Sequence, residues 1–302
     1  MLKKPLILLL CFLFLPASVL LSQQKHSTYF RINLGYGFGF AGGELGMNAE
    51  SNSDSYRTEM MTGSIGGGGN FSVLGGYFPE KNLSLELGYQ FMLSPEILFE
   101  KIEQPNNSTE TIARVTSHYI SFGSGLYIPL RNTELTLLSR FGVLLPVGRY
   151  FTMESNSSIN YVQYAYSQAT WQTEKFTVLF SPGFYASLSA VYPIGKKISV
   201  YGEVETRLAS VTYKSSEIIQ YKSVMIDGQN EYTTALYNLT TAEKYTNYLK
   251  EITNDDNIPT EPDFNKDEPT DELTRRLSAS SVGINVGIIY TFRWKDMIHK
   301  TR

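Results

Sequence analysis

The sequence predicts an all-β fold, a transmembrane antiparallel up-and-down β-barrel of eight strands. Three observations carry that prediction. Long segments alternate between apolar residues and polar or small ones. The connections between them are short and long in turn. The chain also opens with the features of an export signal.

That signal comes first. Lys3 and Lys4 precede an apolar run from Leu6 to Leu15, and small residues follow. Residues 1–22 are therefore expected to be a signal peptide, with cleavage after Ser22 favoured over Ser18. A retained helix is disfavoured because the run falls short of roughly 20 residues and Pro16 interrupts it. The chain's single cysteine, Cys11, lies inside it. Loss of Lys3 and Lys4 leaves 24 basic residues against 29 acidic ones, a net charge of −5 that gives no electrostatic basis for nucleic-acid binding.

The first strand is the plainest. Over residues 30–40 the even positions are Phe30, Ile32, Leu34, Tyr36, Phe38 and Phe40, and the odd ones are Arg31, Asn33 or glycine. The same period of two runs through residues 83–94 and 282–292. Weaker versions at 70–78, 118–128, 134–147, 176–192 and 198–210 bring the total to eight, an even number as a single-chain bacterial barrel requires. Strands this long, with one apolar face and one polar or glycine-rich face, suit lipid outside and a polar lumen inside. Strands of a soluble sandwich run about five to six residues.

Residues 79–82, 130–133 and 193–197 are short connections, and 41–69, 94–117, 153–175 and 211–278 are long ones. With the mature N-terminus in the periplasm, the short turns fall on that side and the long loops outside the cell. The domain reading is thus a signal peptide at 1–22 and a barrel at 23–302 with long extracellular loops, the largest being 211–278. That loop shows no alternating stretch of about ten residues, so ten strands is the lesser alternative. It is expected to hold a hairpin at Asp227-Gly228. A helix capped by Thr240 and Glu243 should follow, then an acidic, proline-punctuated tract over 255–272. Aromatic residues collect near both strand ends, Tyr29, Phe78, Tyr127, Tyr290 and Phe292 at one and Phe38, Phe91, Tyr150, Phe151 and Trp171 at the other, as two interfacial girdles would.

The inward parity places Arg31, Glu86, Arg140, Glu203, Glu205 and Arg207 in the lumen, three of each sign. Charges removed from water must pair, and an eight-stranded barrel is only wide enough for side chains to fill it. A charge-paired plug is therefore expected, with a gated ion path as the sharper alternative. No catalytic, cofactor or metal site is expected. His26, His118 and His299 are scattered, and His118 and Ser121 stand three apart on one strand and so face opposite sides. Residues 66–69 are four glycines without the Lys-Ser/Thr of a phosphate loop. Asp263, Asn265 and Asp267 begin like a calcium loop, but Glu268 replaces its turn glycine and Thr274 its bidentate glutamate.

The last strand, Gly287-Ile288-Ile289-Tyr290-Thr291-Phe292, resembles the terminal signal of outer-membrane barrels, with Gly287, Tyr290 and Phe292 as its motif residues. The mature chain resembles the small barrels related to OmpA, OmpX, OmpW and PorT, although ten residues continue past Phe292. The resemblance implies a bacterial outer-membrane protein that meets lipid and the barrel-assembly machinery and has no enzymatic activity. PorT-like relatives imply a structural or secretion-accessory role through an unidentified extracellular or secretion-complex partner. OmpW-like relatives imply transport of small apolar molecules.

Overall fold

A strand can satisfy its backbone within lipid only by pairing along both edges, and a sheet manages this for every strand only by closing. The computed structural model describes residues 27–292 except 41, 52–54 and 162–163. The expected signal peptide, Cys11, His26, Trp294, His299 and the tail after Phe292 lie outside the described residues.

In chain order, β1 (Thr28–Gly39) rises from the base, the hairpin β2 (Gly43–Ser51) and β3 (Tyr56–Gly63) sits above it, and β4 (Gly68–Glu80) returns. β5 (Leu83–Leu93) rises again, β6 (Ile97–Gln104) leans aside, and β7 (Asn107–Pro129) descends the whole height. β8 (Thr136–Tyr161) climbs back, β9 (Tyr166–Val178) turns down, and β10 (Gly183–Pro193) completes the descent. β11 (Ile198–Leu208) and β12 (Ser210–Asp227) rise in succession, and β13 (Asn230–Ala235) folds back on β12. One helical turn, α1 (Thr241–Lys244), leads to β14 (Tyr245–Leu249), β15 (Thr270–Leu273), β16 (Arg276–Ser278) and finally β17 (Ser281–Phe292).

Eight of these strands form a closed antiparallel ring in the order β1-β4-β5-β7-β8-β10-β11-β17, with β17 pairing back onto β1 from Thr28↔Phe292 to Gly39↔Ser281. The ring is the expected eight. Its outward positions are apolar and bare: Leu34 is 61% exposed and Val286 63%, with Leu85, Leu87, Phe184, Leu188 and Ile284 alongside. An apolar band this wide around a soluble protein would aggregate, whereas hydrocarbon accepts it. The chain is a transmembrane β-barrel.

Above the ring stands a second tier, here called the crown, where sequence parity alone suggests loops. β7 and β8 overshoot the ring and stay paired to Asn107↔Ile159. β9 pairs with the far half of β8, and β12 with β9. On the other flank β6 pairs with β7, and the β2–β3 hairpin lies parallel to β6. Ile65 N–H donates to Ser278 O (2.9 Å) and Ser64 Oγ to Ser280 O (2.6 Å), drawing the two flanks together.

Several expectations change. The segment 176–192 is two strands, the end of β9 in the crown and β10 in the ring, because Pro182 offers no N–H to a ladder. The segment 211–278 contains the 18-residue β12. Its alternation is hidden because irregularities at Tyr213/Ser215 and Ile218/Gln220 invert which parity faces inward. The Thr240 and Glu243 cap is present, but the helix lasts one turn before β14 takes over. Tyr29, Phe78, Tyr127 and Phe151 are fully buried and belong to no girdle.

Candidate functional site

The lumen is built by alternate residues of the eight ring strands. Arg31 from β1, Glu86 from β5, Arg140 from β8 and Glu203, Glu205 and Arg207 from β11 are all buried there. Glu203 is the hub. Its Oε2 accepts from Arg31 Nη2, from Arg140 Nη1 at 3.2 Å, and from Ser187 and Ser189 hydroxyls at 2.8 and 2.7 Å. Its Oε1 accepts from Asn285 Nδ2 at 3.1 Å. Arg140 turns its Nε to Glu86 Oε2 (2.7 Å), and Glu86 also accepts from the Tyr29 hydroxyl. Arg207 donates to Glu205, whose other oxygen is 3.9 Å from Arg140 Nη1. Three arginines and three glutamates thus share one neutral cluster across the barrel waist. Placed in low dielectric, such charges are tolerable only because opposite charges pair and each of the three carboxylates accepts at least one hydrogen bond.

Tyrosines that share the inward parity of these charges shape the cluster. Tyr201 lies under the Arg31 guanidinium, 3.7 Å from its ring centre, and Tyr185 lies 5.2 Å from Arg140. Tyr201 is flat against the wall because Gly287 stands opposite it on β17: a Cβ there would come within 2.6 Å of the Tyr201 ring and 2.2 Å of Ile32 O. Tyr185 covers Gly123 and Gly142 in the same way. Each glycine with a cross-strand aromatic is a pairing that covers bare sheet, and the pattern of glycines on one parity is the signal that could have exposed it. Gly287 therefore has a packing role in the structure, while Tyr290 and Phe292 meet edge to face at 4.7 Å.

The waist is closed from both sides. Toward the base, Tyr29, Leu74, Phe78, Tyr127, Leu138, Val191, Tyr201 and Ile289 make an apolar floor, with Phe78 and Tyr127 ring centres 5.0 Å apart. Toward the crown, Met92, Tyr119, Leu144 and Tyr185 form a collar. Beyond that, Phe99, Val115, Phe151, Phe176, Val211, Tyr213 and Leu277 pack into the crown's own core. Phe151 is central there, 5.0 Å from Phe176 and 5.5 Å from Tyr213.

The crown's polar residues are as ordered as its core. Burial pushes the Glu174 carboxyl above the ordinary carboxylate range, opposed by a hydrogen bond with Ser216 and assisted by nearby Glu272. Bonds from the Thr240 backbone and hydroxyl hold the Glu243 carboxyl below it. Asn257 organises the acidic tract. Its Nδ2 donates to the carbonyls of Asn265 (2.9 Å), Glu268 (3.2 Å) and Pro269 (2.9 Å), and its Oδ1 accepts from Asn265 N–H (2.8 Å). The Asn265 side chain accepts from Asp267 N–H and donates to Glu268, so the calcium-like spacing serves a turn. Among the described residues no group of three His, Cys, Asp or Glu side chains gathers at metal-binding reach. His118 faces outward among Tyr89, Phe91 and Tyr150, with its Nδ1 2.5 Å from the Tyr89 hydroxyl, while Ser121 is buried in the lumen.

No protein-family model and no curated protein matches the chain. Among solved structures it is similar in outline to the outer membrane protein OprG from Pseudomonas aeruginosa, at 9% identity and a TM-score of 0.43 over 90% of this chain and 98% of that one. A major outer membrane protein from Thermus thermophilus follows at 15% identity and a TM-score of 0.33, over 88% and 100%. The outer membrane protease OmpT from Escherichia coli stands at 9% and 0.27, over 91% and 100%. Likeness at that level carries no inference about ligand or activity. The strand pairing itself establishes an eight-stranded transmembrane barrel, of the architecture that bacterial outer membranes house.

Proposed function

We propose that this chain is a bacterial outer-membrane protein whose plugged barrel anchors a rigid crown at the cell surface, where the crown acts as a structural or surface-interaction element, as a secretion accessory does. The observation that supports this reading best is the triple filling of the interior: floor, charged waist and crown core succeed one another along the axis. A lumen filled by paired charges and packed rings suits an anchor better than a pore. The far edge of the crown is rich in exposed tyrosine. Tyr161 and Tyr164 stand exposed at the β8–β9 tip with half-buried Tyr166 beside them, and Gly228 N–H at the β12–β13 tip donates to Ala165 O (2.9 Å). Tyrosine in such places supplies contact area at low entropic cost. Purified protein in planar bilayers should show no steady conductance, and protease applied to whole cells should cut the turns between 250 and 269 while sparing 193–197. A large steady conductance, or cutting only after outer-membrane rupture, would overturn the reading.

A second reading, transport of small apolar molecules, draws on the apolar crown interior. It requires that interior to open, and it requires a lateral exit above the charged waist. Uptake of a fluorescent hydrocarbon probe into vesicles containing the protein, exceeding that into empty vesicles, would favour it.

A further inference from the structure

The crown's outer face holds a feature that neither anchoring nor plugging requires. On β8, β9 and β12, cross-strand partners place Asn156, Trp171 and Lys222 side by side, and two residues along each strand Glu154, Thr173 and Gln220 form a second rank. Directly paired residues share a face of the sheet, and Thr173 Oγ1 meets Gln220 Oε1 at 3.4 Å on that face. The six border a groove of about 320 Å³, at the small end of the roughly 300–1,000 Å³ usual for small-molecule sites. Trp171, 48% exposed, is its open aromatic platform, and half-buried Tyr221 also lines it. Glu154 is steadied by Arg114, which also holds Glu96 at 2.7 Å.

Trp171 is not an interfacial anchor. Its partner Asn156 lies six residues beyond Tyr150 on β8, on the order of 20 Å further along the strand, in the tier where outward positions are polar. An indole left bare in water forgoes burial that a ligand would supply. The rim around it is a mixture of amide, hydroxyl, carboxylate and ammonium, both donors and acceptors. A pyranose matches this: its C–H face is apolar and its edge carries hydroxyls in the ring plane. A proline-rich peptide would need several aromatic faces in a row, and a lipid chain would need an apolar rim.

We propose that this groove is a saccharide-binding site, with Trp171 stacking on one sugar ring and Asn156, Gln220, Lys222 and Glu154 bonding its hydroxyls. The proposal rests on the crown being exposed at the cell surface. The test is isothermal titration of the full chain, in a detergent without a sugar headgroup, with maltopentaose, laminaripentaose and chitotetraose. At least one should bind, and Trp171→Ala should weaken it about tenfold or more while Trp171→Phe retains part of the affinity. Gln220→Ala and Lys222→Ala should each weaken it too, with heat-modifiable migration unchanged in every variant. Failure of all three sugars to bind, affinity unchanged in Trp171→Ala and Gln220→Ala alike, or binding of decaproline in their place would each overturn the site. A Thr173→Cys variant, labelled on intact cells with an impermeant maleimide against the parent chain as control, separates the two ideas. Labelling without sugar binding refutes the site alone, and labelling only after membrane rupture refutes the surface reading and the site with it.

Discussion

At the scale of the residue, the molecule is governed by how the six charges in its interior pair with one another. Arg140 touches Glu86 and Glu203 and lies under Tyr185. Arg140→Ala should leave two buried carboxylates short of a partner and cost about 3–5 kcal/mol, read as urea unfolding in lipid vesicles; stability equal to wild type would mean the cluster is slack. Glu174 makes the opposite case. Its carboxyl is held above the ordinary range in the folded chain, so the folded state binds that proton more tightly than the unfolded one. The stability this contributes is complete below the unfolded value and is lost as pH rises through the folded one. Because Glu243 is held below the ordinary range and acts in the opposite sense, the sign is read by difference: on going from about pH 7 to about pH 4 the wild-type crown should gain protease resistance relative to Glu174→Gln. The same pH trend in both chains would refute the assignment. Parity placed all six lumenal charges on one face of their strands, and Tyr29, Tyr201, Ser187, Ser189 and Asn285 share that inward face. Which of them meets which charge is chosen by ring closure, and no local pattern marks that.

At the scale of the element, strand length separates wall from crown. β7 and β8 run 23 and 26 residues, about twice what a tilted crossing requires, and the excess carries the crown. The strongest alternations, in β1, β5 and β17, belong to strands confined to the ring. Of the fainter ones, those of β7 and β8 belong to strands that pass between two environments and that of β12 is broken by bulges, while β4, β10 and β11 stay within the ring. In lipid the outward face must be apolar throughout, whereas in the crown both faces can be polar and the period fades. The segment from α1 to β15 is part of this packing: Tyr248 lies 5.3 Å from Tyr213 and 6.1 Å from Phe176, and Asn247 pairs with Ser215. Excising residues 240–272 should leave the ring folded but uncover the crown core. The variant should keep its heat-modifiable migration, gain binding of an apolar dye and become protease-sensitive near Phe176. Loss of the ring as well would show that the two tiers fold as one.

At the scale of the whole molecule, closure is the dominant fact. Every ring strand is paired on both sides, so no edge offers a starting point for unfolding. The detergent-solubilised protein should resist SDS at room temperature and migrate differently after boiling, with a strand minimum in circular dichroism. Identical migration before and after boiling would contradict the closed ring. The crown extends the same logic upward, since its flanks meet through Ile65 and Ser278 and enclose an aromatic core.

By itself the sequence determined the all-β class, the count of eight crossings, the end at which the short turns lie and the inward parity of the charges. Each follows from a period of two imposed by lipid on one face, a constraint that every crossing strand must satisfy locally. Only the tertiary structure decided that Glu203 is the hub, that Tyr29, Phe78 and Tyr127 form a floor, that the long connections are a second tier of sheet, and that Asn156, Trp171 and Lys222 stand abreast. Those depend on which strands become neighbours and in what register. Register is set by closing the ring and by the bulges of β12, which are properties of the assembled sheet and leave no periodic trace in any one segment.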